Sequence, residues 1–141
     1  MTKNSPLVSS PEVEAWARAR SAKLLGCEQD EDAFIAQPEL VPTIAHLLAD
    51  SKTVASKRGT LVSALVLMIE AHLEDEADTL PPNVLDSILS ILRANEGAAR
   101  EAFPQLGLPG LVILQTLFGD PLAEDVPGWI RERYGRRLTS R

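Results

Sequence analysis

Thr60-Leu-Val-Ser-Ala-Leu-Val-Leu-Met-Ile-Glu-Ala-His-Leu73 decides the fold of this chain. Residues 61–69 carry one polar side chain, Ser63, and no charge lies between Arg58 and Glu70. Leu61, Leu65, Met68 and His72 form one helical stripe, and Val62, Val66, Ile69 and Leu73 form a second. Two stripes cover much of a helix's circumference, so the spacing predicts a helix enclosed on most sides. Ser63 inside it is expected to bond a backbone carbonyl one turn earlier. The apolar run is about half of the roughly 20 residues that cross a bilayer, which points to a core helix and away from a membrane.

Upstream, Val41, Ile44, Leu47 and Leu48 follow Pro38 and Leu40 at close to ideal amphipathic spacing, so a helix is expected from Pro38 to Asp50-Ser51. Ser51 can cap the central helix, and Gly59 is a candidate kink or close-packing point. Further back, Ser10-Pro11-Glu12 reads as a helix start, with Ser as cap, Pro at the first position and an acid in the first turn. Val13, Trp16, Ala17 and Leu24 mark its apolar face, and Gly26 is its expected stop. An acidic link, residues 28–32, leads to a short turn around Phe34 and Ile35. Residues 1–9 are polar, lack a helical pattern and are expected to be flexible.

Downstream, the central helix should reach about Ala77. Its end holds Glu74, Asp75, Glu76 and Asp78 at the negative pole of the helix dipole, a placement that costs up to about 1 kcal/mol per charge. Pro81-Pro82 restarts the chain; Val84, Leu85, Ile88, Ile91 and Leu92 repeat the stripe, closed by Asn95-Glu-Gly97. A short helix with Ala98, Ala99, Ala102 and Phe103 precedes Pro104. Gly107-Leu-Pro-Gly110 then introduces a second buried run, Leu111 to Phe118. Periodicity leaves a strand open for 111–114, but no partner strand is in sight, so helix is favoured. Val126-Pro127-Gly128 leads to a last helix with Trp129, Ile130, Arg133 and Tyr134. The fold class is therefore all-α: one irregular helical bundle over 10–137, with two stacked hairpins and a basic end at 138–141.

An echo runs through the middle. Pro38–Leu48 laid over Pro82–Leu92 aligns every large apolar position of the first segment at an offset of 44, and Leu61-Val62 meets Leu111-Val112 at 50. This resembles the armadillo/HEAT class of helical repeats, with a period of about 40–47 residues. The resemblance covers 38–118, rests on pattern alone, and implies a short array whose end helices act as caps. Two unrelated hairpins in a bundle would produce similar spacing.

Composition narrows the function classes. Residues 1–128 hold 9 Lys or Arg and 19 Asp or Glu, a balance of −10, whereas 129–141 hold 5 Arg and 1 Glu, a balance of +4. The single Cys27 excludes an intramolecular disulfide, and its acidic neighbourhood raises a thiol pKa instead of activating it. Met1–Pro6 is polar and no signal-like run follows, so a soluble cytoplasmic protein is expected. The only histidines, His46 and His72, lack the close ligand spacing of a zinc site; His72 and Glu76 lie one turn apart. A small metal-dependent enzyme would need both histidines in one pocket. No Gly-x-Ser-x-Gly, Walker loop or Gly-x-Gly-x-x-Gly occurs, and the acidic clusters read as solvated, so neither catalysis nor a cofactor is implied.

The expected function is a non-catalytic intracellular protein-binding, adaptor or regulatory module, its partner another protein or a second copy in a homo-oligomer. The candidate partner-binding residues are Trp129, Arg131, Arg133, Tyr134, Arg136 and Arg137, together with the acidic rim Glu74, Asp75, Glu76 and Asp78. The alternative is a nucleic-acid-associated regulator that uses the Arg-rich C-terminal helix, since guanidinium groups interleaved with aromatics suit phosphate. Trp129, Ile130 and Tyr134 could equally anchor that helix on the core.

Overall fold

The computed structural model describes residues 10–20, 34, 37–74, 80–121 and 125–136, with the backbone alone for Ser10, Gly135 and Arg136. Among them lie α1 (Ser10–Arg18), α2 (Val41–Ala49), α3 (Ala55–Glu74), α4 (Pro82–Ala94), α5 (Glu96–Glu101), α6 (Leu108–Phe118) and α7 (Gly128–Ile130). Short 3-10 turns at Pro38–Leu40 and Phe103–Gln105 lead into and out of these, and α7 continues as a π-helix over Arg131–Arg136. The described residues contain no strand, and 111–114 are helical.

The helix enclosed by the rest is α3. It packs against α1, α2, α4, α5, α6 and the π-helical segment. Leu61, Val62, Leu65, Val66, Met68, Ile69 and Leu73 are buried, as the two stripes require, and Ser63 and His72 are buried with them. The helices with sequence echoes lie side by side: α2 packs on α4, and α3 packs on α6. Ile44, Leu47, Ile88, Leu92, Ile113 and Leu114 belong to the same core as the α3 side chains. Burial on this scale, at about 1.5–3 kcal/mol per large aliphatic side chain, drives the folding of a chain poor in aromatics.

Several local expectations are corrected. The first helix ends at Arg18, short of Leu24 and Gly26, and Ala19 and Arg20 are not helical. A tertiary contact takes over there: the Val54 N–H donates to the Ala17 carbonyl at 2.9 Å, and Arg18 Nη2 pairs with Asp50 Oδ2 at 2.7 Å. Ser51 does not cap α3, which starts at Ala55. The α2–α3 turn is held instead by longer-range donors. Thr53 Oγ1 donates to the Leu47 carbonyl at 2.7 Å, and Arg58 donates to Leu48 and Asp50 carbonyls at 2.6 and 2.5 Å. These groups satisfy acceptors that a helix end leaves open, and the cationic Arg suits the negative pole of α2.

Gly59 is not the close-packing point either. A Cβ there would meet only the Gln105 side chain, at an ordinary 3.6 Å. The tight approach lies at buried Gly110, where α6 crosses α3. Gly97 sits inside α5, so the preceding helix closes at Asn95, whose Nδ2 donates to the Ile91 carbonyl at 2.8 Å. Central helix α3 is described to Glu74, and the expected continuation to Ala77 lies outside the described residues. Ile35, the acidic link 28–32 and Cys27 also lie outside them.

Two side-chain clusters fasten the ends of the bundle. Trp16 on α1 stacks at a tilt on Phe34, ring centroids 5.4 Å apart, and the buried Lys57 of α3 places its ammonium 4.7 Å from the Trp16 ring. Across the molecule, Arg100 on α5 bonds both carboxylate oxygens of Asp120 at 2.7 and 3.2 Å, and Glu96 at 2.7 Å. Its guanidinium also lies over Phe103 and Phe118, so it closes the α5–α6 connection with charge and with aromatic contact. The paired guanidinium holds the Asp120 carboxyl below its ordinary range.

Candidate protein-docking groove

The walls of a surface groove come from α2 with its leading turn and from α4. Pro38, Glu39, Val41, Pro42 and Ala45 form one wall. Asn83, Val84, Asp86, Ser87, Ser90 and Ile91 form the other, and together they enclose about 630 Å³. The cleft follows from residue size. Both helices turn their large aliphatics toward α3 and leave Ala45, Ser87 and Ser90 where they face each other outside the core. Ser87 Oγ donates to its own helix, to the Asn83 carbonyl at 3.0 Å, so its hydroxyl is satisfied without a neighbour across the cleft. Val84 and Ile91 rest partly against the core and give the groove an apolar floor. Glu39 and Asp86 are exposed on opposite walls, and among the described residues no Lys, Arg or His lines the groove.

This groove was not singled out in the sequence. Its signal was present in the α2–α4 echo, which gives the two helices the same spacing of large aliphatic side chains. Small residues at 45, 87 and 90, outside the apolar stripe, were the remaining cue.

The C-terminal segment was singled out, and the structure divides its residues. Ile130 and Tyr134 point into the core, as does Val126 just before. Trp129 does not anchor the helix: it is 61% exposed. Arg131 is half-buried and its Nε donates to the Val126 carbonyl at 3.2 Å, which commits this guanidinium to holding the turn. Arg133 is exposed one turn beyond Trp129. The hydrogen bonding over 131–136 is π-helical. The Arg136 side chain and Arg137 lie outside the described residues, as do Asp75, Glu76 and Asp78 of the acidic rim.

Two candidates from the two groups meet. The Tyr134 hydroxyl donates a short hydrogen bond to Glu74 Oε1 at the end of α3. A carboxylate at the negative pole of a helix is locally unfavourable, and here it gains a donor from the C-terminal segment in exchange. Burial and then the bond to Glu74 push the Tyr134 hydroxyl up to about 12. One turn earlier, burial and the charge of Glu74 push Glu70 up to about 7. Glu70 was missed because it looks like the first solvated acid after the apolar run. Its position beside Gly110 of α6 is a tertiary fact.

The histidines are separated in role. His72 is buried, and its Nδ1 accepts the Leu80 N–H at 3.1 Å, which fixes the chain where it turns into α4. His46 is exposed, 3.8 Å from Glu14. The Glu76 expected beside His72 lies outside the described residues, among which no three His, Cys, Asp or Glu side chains gather. No described helix is long and apolar enough to cross a membrane.

No family model matches the chain, and no curated protein or solved structure matches it.

Proposed function

We propose that this chain is a non-catalytic intracellular adaptor or regulatory module that docks a protein segment bearing an apolar anchor and basic flanks. The observation that carries this reading is the α2–α4 groove, apolar at its floor, acidic on both walls and lined by no basic side chain among the described residues. Its volume falls in the range of about 300–1,000 Å³ typical of sites that hold compact ligand groups. We also infer that α2–α3 and α4–α6 are two units of a short armadillo/HEAT-like array. The offsets of 44 and 50, and the packing of α2 on α4 and α3 on α6, support this. Such arrays bind partners on the face that like helices share, and the groove lies between two like helices.

A basic peptide with a single tryptophan, titrated into the protein by calorimetry, tests the reading. Binding is expected for the native chain, weakened by salt, and lost when Ser87→Trp fills the groove. Equal heats for both chains would remove the groove from the function.

A second reading, a nucleic-acid-associated regulator, draws on exposed Trp129 beside Arg133 and on the balance of +4 over residues 129–141. It requires gel-shift binding that falls steeply with salt and that Arg133→Glu weakens. The acidic body and the commitment of Arg131 to Val126 weigh against it.

A further inference from the structure

Trp129 and Leu108 are the large apolar side chains that stand exposed among the described residues, Trp129 by far the more so. The short helical turn after Pro127 presents the Trp129 indole outward, while its neighbour Ile130 is buried. The groove has the complementary character: small side chains at Ala45, Ser87 and Ser90 leave room for a ring, and Val84 and Ile91 supply apolar contact. Charge matches as well. Glu39 and Asp86 flank the groove, and exposed Arg133 lies one turn beyond Trp129 in a segment of net positive charge.

Resting on the docking reading above, we propose that the occupant is a second copy of this chain: Trp129 of one molecule enters the α2–α4 groove of the next. The two halves of the contact lie on different elements. Trp129 sits on the segment that packs against α6 and α3, and the groove is built by α2 and α4. A contact between unlike surfaces propagates head to tail, unless two molecules exchange it reciprocally about a two-fold axis. Its strength is bounded by area. One tryptophan buries about 150–250 Å², well below the roughly 1,200 Å² total of a stable interface. The association is therefore reversible, grows with protein concentration and weakens as salt screens the arginine–carboxylate attraction.

Sedimentation velocity on the full chain over a wide concentration range tests this. The native mass average should rise with concentration and fall at high salt. Trp129→Ala and Ser87→Trp, each checked for native circular dichroism, should both remain monomeric. Mixed together they should form a one-to-one pair and nothing larger, because one supplies the intact groove and the other the intact indole. If Ser87→Trp does not fold, the double charge reversal Glu39→Lys with Asp86→Lys takes its place on the exposed walls. A native chain that stays monomeric throughout, or a Trp129→Ala chain that associates like the native one, overturns the proposal. So does a mixture of the two variants that fails to pair. The unrelated tryptophan-bearing basic peptide separates the two levels. If it binds a chain that does not self-associate, the second copy is ruled out and the docking groove stands; if neither binds, both fall.

Discussion

Gly110 of α6 lies so close to Val66 of α3 that a Cβ at 110 would stand 3.1 Å from Val66 Cγ1, 3.2 Å from Glu70 Oε2 and 3.3 Å from Leu106 Cβ. Two helices with near-continuous apolar surfaces meet here, and the missing side chain sets how closely they meet. Gly110→Ala gains about 1 kcal/mol of helix propensity but overpacks a contact where such changes cost roughly 1–3. A net loss of about 1 kcal/mol is expected, or about 3 °C in thermal midpoint. Val66→Ala in the same chain should recover part of it, and additive losses in a double-mutant cycle would refute the close contact.

Leu65 is fully enclosed on α3 and Trp129 is mostly exposed, so the two should respond very differently to truncation. Leu65→Ala should cost roughly 2–5 kcal/mol by leaving a cavity. Trp129→Ala should change the stability of the dilute monomer by no more than about 0.5 kcal/mol. Chemical denaturation reads both. Equal losses would contradict the burial of α3.

Glu70 gives the fold a pH dependence of unusual sign for a carboxylate. Folded, it takes up its proton near pH 7; an ordinary glutamate does so near 4.5. The folded state thus holds the extra proton between those values, and stability is fully present below about 4.5 and lost as the pH rises through 7. Glu70 is only partly buried, so the loss is discounted for solvent screening to about 1 kcal/mol. Glu70→Gln should raise the thermal midpoint at pH 8 and leave it unchanged at pH 4. The same gain at both pH values would show that charge is not the cause.

Tyr134 is the sole tyrosine, so its ionisation can be followed by tyrosinate absorbance. The folded protein should titrate well above the ordinary value of 10, toward about 12. Burial is the larger cause, so Glu74→Gln should lower the midpoint only part of the way. Stability linked to this phenol is intact below pH 10 and declines above it. Tyr134→Phe should cost about 1 kcal/mol, the net worth of one hydrogen bond. A titration at the ordinary value would mean that Tyr134 faces solvent.

What the sequence made legible was what short-range chemistry controls. Leu61–Leu73 and Leu111–Phe118 are too apolar to lie at a surface, and both are helical, the first buried nearly throughout and the second at Val112, Ile113 and Leu114. Pro38 and Pro82 open helical segments because a missing N–H costs nothing in a first turn. The misses fall where residues distant in the chain decide the outcome. Helix α1 stops at Arg18 because Val54 and Asp50 take up its end, and no local breaker marks the place. Gly110, not Gly59, is the close approach, and only the crossing of α3 with α6 tells the two glycines apart. Trp129 and Tyr134 share a composition and a helix end, yet one faces water and the other the core. The groove has no sequence motif, since its walls come from segments 44 residues apart whose small side chains matter only once they face each other.

The reach of Tyr134 back to Glu74 also bears on how the protein is made. A ribosome releases α3 long before the π-helical segment that helps to cover it. Until that segment emerges, the greasiest surface of the nascent polypeptide remains incompletely shielded, and domains generally fold as units. Commitment to the native state therefore waits for residues 131–136, and products that stop short of residue 134 should be prone to clump.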